Sequence, residues 1–255
     1  MPLTLARLLI SALLLAWVVA SPARAEMNAD DKREIERIVR DYILQNPEVV
    51  EKALIALETQ RREAKVAEQA GKITELKDTI LNSQHQAVLG NPDGRVTLVE
   101  FFDYNCGYCK RALNDMLALV ESNPDLRVVM KEFPILSEGS MEAARISVAV
   151  KDLNPDLYLD YHRELLGRGG QANLQKAISV AKELGLDTEA LKKAAENGSV
   201  TENIQEVRQL AQALGISGTP SYVVGGEMIP GAIGFDGLHT KVQDAAAKCA
   251  EQVMC

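Results

Sequence analysis

Apolar residues recur at helical spacing in the first third of the chain and at strand spacing further on. Within residues 30–43, Ile35, Ile38, Val39, Tyr42 and Ile43 fall at three- and four-residue steps, which puts them on one helical face. Asn46-Pro47 interrupts this helix; proline suits the first turn of a new one, and Val50, Leu54 and Leu57 carry the stripe on to about residue 57. Residues 58–72 are rich in charges and good helix formers but poor in large apolar side chains, so they read as an exposed helical spacer. Ile73, Leu76, Ile80 and Leu81 restore a stripe before the turn signal Asn91-Pro92-Asp93-Gly94, which sets a domain boundary between His85 and Asn91. A narrow apolar seam cannot satisfy itself alone in water, so residues 35–57 must pack on the chain's own main domain or on a copy of it. A helical spacer of about fifteen residues would hold the seam roughly 20 Å away, which favours self-association through residues 30–60.

Residues 95–103, RVTLVEFFD, are rich in β-branched and aromatic side chains and predict a strand; a helix follows over 110–120 and a second strand over 126–133. Strand, helix, strand opens an α/β sheet. Residues 140–214 carry no strand pattern but several amphipathic helical stretches, punctuated by Pro155, Gly167 to Gly170, Gly185 and Asn197-Gly198, and read as a helical insertion spanning about 137–214. Residues 219–225 and 227–230 predict a hairpin turning at Gly225-Gly226, and a last helix covers about 236–253.

Charge and the first 25 residues locate the chain. Arg7, an apolar run over 8–20, Pro22, and Ala23 and Ala25 around Arg24 predict a secretory signal cleaved after Ala25. An apolar core of roughly a dozen residues is short for a membrane span, so an uncleaved anchor is the weaker alternative and no membrane anchor is expected after cleavage. The net charge of −8 includes Arg7 and Arg24, so the mature chain carries about −10, which argues against nucleic acid as a partner. Export places the four cysteines, Cys106, Cys109, Cys249 and Cys255, in an oxidising compartment. Four are too few to staple a chain of 255 residues, so Cys106 and Cys109 call for a chemical explanation.

Cys106-Gly107-Tyr108-Cys109 has the spacing of a redox dithiol, of half a zinc site, or of chance. A helix starting at Cys106 would offer its sulfur unpaired N–H groups and the positive end of the helix dipole, both of which favour thiolate. Cys109, one turn further in, would be shielded and would resolve the mixed disulfide. Strand alternation points Glu100 to the side of Phe102 and away from Val99 and Phe101. A carboxyl there is either a proton acceptor for Cys109, its pKa raised by desolvation, or a group reaching solvent or pairing with Lys131. In Gly218-Thr219-Pro220, proline at a strand start suits a cis Thr219-Pro220 bond that turns the chain beside the dithiol and leaves the Thr219 backbone free for an incoming peptide. His85, His162 and His239 have no spacing that joins them to the cysteines and read as surface or packing residues; no metal site is expected, since a second Cys-x-x-Cys and a methionine-rich cluster are both missing. Cys249 and Cys255 form a candidate structural disulfide. Six residues of helix span about 9 Å, beyond disulfide reach, so the pairing needs the last turn to unwind.

The run FDYNCGYC, the helical insertion, Gly-Thr-Pro before a hairpin and a terminal helix resemble the DsbA-like branch of the thioredoxin superfamily from about residue 88 to the C-terminus. The resemblance implies a thioredoxin fold with an inserted helical domain and no cofactor beyond a redox-active Cys106/Cys109 disulfide. It also implies Cys106 as nucleophile, Cys109 as resolving thiol, Pro220 as the cis-proline preceded by Thr219, and Glu100 as the buried acid. DYILQNPEVVEKAL, residues 41–54, resembles the oligomerisation segment of ScsC-type proteins, periplasmic DsbA-like proteins linked to copper tolerance. That likeness implies a homotrimer on helical stalks and a membrane reductase of the DsbD or ScsB kind keeping the dithiol reduced. Gly107-Tyr108 departs from the Pro-His of strongly oxidising DsbA proteins and is similar to the dipeptide of the isomerase DsbC, as is the threonine before the proline. The expectation is therefore a periplasmic disulfide isomerase or reductase acting on cysteines of exported clients; Cu(I) capture by the same dithiol and a DsbA-type oxidase are the alternatives. The implied domains are a signal peptide over 1–25, a helical oligomerisation segment and linker over 26–86, and a catalytic domain over 87–255.

Overall fold

The computed structural model describes residues 27–249; the expected signal peptide and Cys255 lie outside the described residues. Helices α1 (Ala29–Gln45), α2 (Glu48–Glu75) and α3 (Lys77–Asn82) precede strands β1 (Ala87–Gly90) and β2 (Val96–Phe102). Helix α4 (Gly107–Ser122) then leads to β3 (Leu126–Glu132). The insertion follows as α5 (Glu138–Leu153), a 3-10 turn (Pro155–Leu157), α6 (Tyr158–Gly167), α7 (Leu174–Glu183), α8 (Thr188–Ala195) and α9 (Gly198–Leu214). Strands β4 (Ser221–Val224) and β5 (Glu227–Pro230) and helix α10 (Gly234–Cys249) complete the described chain. Two compact units divide between Gln60 and Arg61.

In the first unit, Asn28 caps α1 by accepting from the backbones of Asp30 and Asp31, while the Asp31 side chain reaches back to the Asn28 N–H. Pro47 opens the next helix, where its missing N–H costs nothing. No residue of α1 is buried, and Ile35, Ile38, Val39, Tyr42 and Ile43 stand exposed in this chain. Ile43, Leu44, Pro47, Val50, Leu54 and Ile55 line a groove of about 550 Å³ across the α1–α2 turn.

The second unit is built on the strands the sequence marks. β2 and β3 run parallel, with Val96 opposite Leu126 and Phe102 opposite Glu132, and α4 makes the crossover. β4 pairs antiparallel with β2, and β5 with β4; the sheet order is β1-β3-β2-β4-β5. β2 is therefore central and buried along its whole length, which is why its sequence is almost continuously apolar. Gly225 and Gly226 both take positive φ, 54° and 80°, as a two-residue hairpin turn requires. β1, paired antiparallel with β3, has too little sequence to announce itself: four residues with alternating burial at the edge of the sheet.

Leu98, Phe102, Val128 and Met130 face a core closed by α4, α10 and the insertion, through Met116, Leu238, Ile146, Tyr161 and Leu165 among others. On the other face, Val99, Phe101, Val129 and Phe133 pack against Val207, Leu210 and Leu214 of α9 and against Ile73 and Ile80. These last two correct the boundary expected near residues 85–91. Ile73 at the end of α2 and Ile80 on α3 are each 1% exposed, because they close the back of the sheet rather than belonging to a separate linker. Polar ties fix the same segment: Gln69 donates to the Leu214 carbonyl at 3.2 Å, Arg127 to that of Leu81 at 2.8 Å, and buried Lys131 to that of Thr79 at 2.8 Å. Among the described residues no helix is long and apolar enough to cross a membrane.

Ile80→Ala should lower the unfolding free energy by about 2–5 kcal/mol, whereas Val66→Ala, on the exposed stretch of α2, should change it by less than about 0.5 kcal/mol. Urea denaturation of the two variants checks the contrast; equal effects would mean that Ile80 is no part of the core.

Candidate functional site

The central strand delivers the dithiol. β2 ends at Phe102, residues 103–105 turn, and Cys106 becomes the N-cap of α4, with φ −75° and ψ 115°. Its Sγ accepts from the Cys109 N–H at 3.4 Å, so the sulfur stands where a helix leaves donors unpaired. Cys106 is 5% exposed and Cys109 not at all, and both are free thiols. The Thr219-Pro220 bond is cis, and the Cys106 thiol donates to the Thr219 carbonyl at 3.0 Å. The Thr219 carbonyl, expected to stand free, thus accepts from the buried S–H while Cys106 is a thiol. Ionised or disulfide-bonded, the sulfur has no proton to donate, and the carbonyl is released for a client backbone. Beside the sulfur lies a groove of about 480 Å³ lined by Tyr108, Ile216, Thr219, Pro220, Met228 and Pro230. Gly107 starts the helix and Tyr108 is 61% exposed at the groove's edge.

Three residues before Cys106 hold it in place. The Asp103 carboxylate accepts from the backbones of Asn105, Ile135 and Leu136 at 2.7, 2.8 and 3.0 Å, tying the turn to the segment after β3. Asn105 donates to Ser137 Oγ, Ser140 Oγ and the Ala172 carbonyl at 3.2, 3.0 and 2.9 Å, and accepts from the Ala172 N–H at 2.6 Å. Gly139 permits this close approach, since a Cβ there would stand 2.5 Å from the Ala172 carbonyl oxygen. The Tyr104 hydroxyl meets Ser147 Oγ at 2.7 Å and His162 Nδ1 at 3.2 Å in the core between sheet and insertion. No pattern in the sequence assigns Asp103, Tyr104 or Asn105 a role. The available signal was a polar turn set directly between a continuous apolar strand and Cys106.

Glu100 is 3% exposed and, by strand alternation, lies on the sheet face of Leu98 and Phe102. Its alternative partner is corrected by the register. Met130 stands opposite Glu100 and Lys131 opposite Phe101, so Lys131 points to the other face, where it bonds Thr79 and Gln86. Burial pushes the Glu100 carboxyl up to about 8, leaving it predominantly protonated at neutral pH. The Cys109 thiol is pushed up as well, first by burial and then by the neighbouring Glu100 and Cys106, against a backbone hydrogen bond from Asp103. His162 is buried and held neutral, its pKa driven down to about 3 by burial. His239 stacks on Phe235, and the His85 carbonyl accepts from Asn203. Cys249 is disulfide-bonded; Cys255, its expected partner, lies outside the described residues.

A thioredoxin-type sheet, a helix capped by one thiol, a second thiol one turn in and a cis-proline against the first define a domain of the thioredoxin superfamily arranged for thiol-disulfide exchange. The family model of the DSBA-like thioredoxin domain matches residues 97–243, and the chain belongs to that family. The model of the copper resistance protein ScsC N-terminal domain matches residues 31–64. The crystal structure of a thioredoxin-like oxidoreductase from Silicibacter pomeroyi is 42% identical, covering 69% of this chain and 99% of that one with a TM-score of 0.64. ScsC of Proteus mirabilis in a transitional conformation is 30% identical, covering 87% of this chain and all of that one with a TM-score of 0.65. Among curated relatives, the Na(+)/H(+) antiporter NhaA of Herminiimonas arsenicoxydans is 30% identical over 146 residues; they make up 57% of this chain, which spans only 23% of the antiporter.

The raised Glu100 pKa carries a sign. The native carboxyl keeps a proton that the unfolded chain releases near 4.5, so its contribution to stability is complete below about pH 4.5 and is lost as pH rises toward about 8. Glu100→Gln should flatten that slope and gain on the order of 5 kcal/mol relative to the parent at the upper end. It should also slow resolution of a Cys106 mixed disulfide by about 10²-fold if Glu100 takes the Cys109 proton. Urea titrations across the range and stopped-flow decay of the mixed disulfide check both; an unchanged decay rate removes Glu100 from the chemistry.

Proposed function

We propose that this protein is a periplasmic thiol-disulfide oxidoreductase that isomerises or reduces disulfides of other exported proteins. The observation that carries this reading is the Cys106 sulfur, capping α4 and 3.0 Å from the carbonyl that precedes a cis-proline. The Cys106 thiolate attacks one sulfur of a client disulfide; a new S–S bond forms, the client's bond breaks, and its electron pair leaves on the second client sulfur. That thiolate can attack a second disulfide of the same client, expelling a different client thiolate, which then attacks the client sulfur bonded to Cys106; a new client S–S bond forms and the Cys106 thiolate leaves. Alternatively Glu100 first releases its own proton, takes that of Cys109, and Cys109 attacks Cys106, which releases the client reduced and leaves Cys106–Cys109 oxidised. Two electrons must then come from outside, the role proposed for a membrane reductase of the DsbD or ScsB kind.

Gly107-Tyr108 between the thiols supports an isomerase or reductase over an oxidase, and the exposed apolar face of the first unit supports a homotrimer through residues 30–60. Ile38 is 54% exposed and Leu54 is 54% exposed, a state that a surface shared with other copies would end. Gathered around a common space, several dithiols could hold one misfolded client while its bonds are tried in turn.

Reduced protein should restore activity to a client with scrambled disulfides. Cys106→Ser should abolish this, and Cys109→Ser should accumulate mixed disulfides visible on a non-reducing gel. Tight binding of one Cu(I) through Cys106 and Cys109, with no effect on the scrambled client, would replace the enzyme reading by metal capture. In light scattering the parent should have the mass of three chains, and Ile38→Asp with Leu54→Asp that of one, with rescue of the client falling while Cys106 still reacts with a small disulfide. A monomeric parent would end the trimer proposal.

A further inference from the structure

Cations cluster at and beside the start of α4 although the chain as a whole carries a net charge of −8. Arg111 lies along the first turn of α4: its guanidinium carbon is 4.2 Å from the centre of the Tyr108 ring, and Nη1 is 3.9 Å from where a Cβ on Gly107 would stand. Both neighbours follow Cys106 directly in the helix start. On the next strip of α4, Lys110 Nζ donates to the Arg168 and Gly170 carbonyls at 3.3 and 3.0 Å, and Lys176 Nζ donates to that of Gly169. Two ammonium groups thus converge on one glycine-rich loop, which meets α4 where a Cβ on Gly167 would stand 3.8 Å from Leu113. Burial and the charges of Lys110 and Arg168 together lower the Lys176 pKa, a sign of how close the cations stand. Arg168 is neutralised by Glu183 at 2.6 Å and Glu164 at 3.4 Å. Among the described residues, Lys110, Arg111 and Lys176 make no ion pair with a carboxylate.

Carbonyl ligands orient an ammonium group without cancelling its charge, so the field of the lip stays positive. The apolar groove is lined by the cis-proline loop and Tyr108; Arg111 stands over Tyr108 at its edge, and Lys110 and Lys176 lie against the loop over residues 168–170. A client backbone with its cysteine at Cys106 would therefore place apolar residues in the groove and a residue adjoining the cysteine against Arg111 at the groove's edge. We infer that Lys110, Arg111 and Lys176 form a cationic lip selecting client disulfides whose cysteine is flanked by aspartate or glutamate. The inference rests on the thiol-disulfide exchange proposed above and names the substrate class for that site. The guanidinium matches a client carboxylate in shape as well as charge, and the same field favours the thiolate that leaves when the client's S–S bond breaks.

The test measures second-order rate constants for the reduced full-length protein with two disulfide-bonded peptides that differ only in aspartate or lysine around the cysteine, and with hydroxyethyl disulfide, which is uncharged. The parent should react about tenfold faster with the aspartate peptide at low salt, the ratio collapsing toward one at 0.5 M salt. Arg111→Glu should erase the preference, and Arg111→Glu combined with Lys176→Glu should reverse it. Dividing each rate by that for hydroxyethyl disulfide removes any change in the reactivity of Cys106 itself. Equal peptide rates in the parent, a preference indifferent to salt, or one that survives both substitutions overturns the inference while leaving the exchange reading intact. Failure with hydroxyethyl disulfide as well would bring down both.

Discussion

The site depends on one contact across 113 residues of chain, the Cys106 thiol against the Thr219 carbonyl. It requires that the end of β2 and the loop before β4 arrive at the same place, which follows from β2 and β4 being hydrogen-bonded neighbours with Phe101 opposite Ser221. The parallel partner on the other side, β3, forces a crossover, and the crossover helix starts at the strand's carboxyl end, where Cys106 caps it. Sheet order, crossover and dithiol are thus consequences of each other. The contact is also conditional on the proton: it exists for the thiol and disappears for the thiolate, so activating the sulfur opens the carbonyl that a client would use.

Around this contact the protein buries polar groups at a density that packing alone would not favour. Asp103, Glu100, Glu132, Ser140, Ser147 and His162 are all under 6% exposed. Asp103 and Asn105 are fully engaged by backbone and hydroxyl groups, and they clamp the turn before Cys106 to the insertion. Glu132, one pleat along the face from Glu100, has its pKa pushed well above the usual carboxylate range by burial, against a hydrogen bond from Ser147, and its Oε1 has no partner. Burial raises the pKa of both acids, which lessens the repulsion that two carboxylates on one face would generate.

How much of this the sequence discloses varies by element. β2 and β3 are legible because both faces of a central parallel strand are buried, so apolar runs leave little ambiguity; the hairpin is legible because Gly225-Gly226 satisfies a turn that other residues resist. The dithiol, Glu100 on the face of Phe102, and Pro220 before β4 can be read from spacing and alternation. β1 cannot, since four residues at an edge carry too little pattern. The boundary near residue 85 misleads for a different reason: Ile73 and Ile80 look like a stalk's weak stripe, and only the open back of the sheet, formed by strands far along the chain, reveals them as core. Asn105 and Arg111 are illegible for the same reason, since their partners at Ala172 and beside Gly107 exist only after folding.

The electrostatics of the second thiol bear on the direction of electron flow. A mixed disulfide on Cys106 has two exits: attack by Cys109, which ends in oxidised enzyme, or attack by a client thiolate, which ends in a rearranged client. Cys109 is fully buried, its pKa is raised, and the base beside it holds its own proton until about pH 8. The first exit therefore needs an ionisation that the interior opposes at neutral pH, while client thiols ionise in water near their ordinary values. The longer the first exit is delayed, the more client bonds can be tried before the enzyme is oxidised. Burial of Cys109 with Glu100 thus opposes the exit that ends in Cys106–Cys109, a constraint that acts independently of the Gly107-Tyr108 dipeptide.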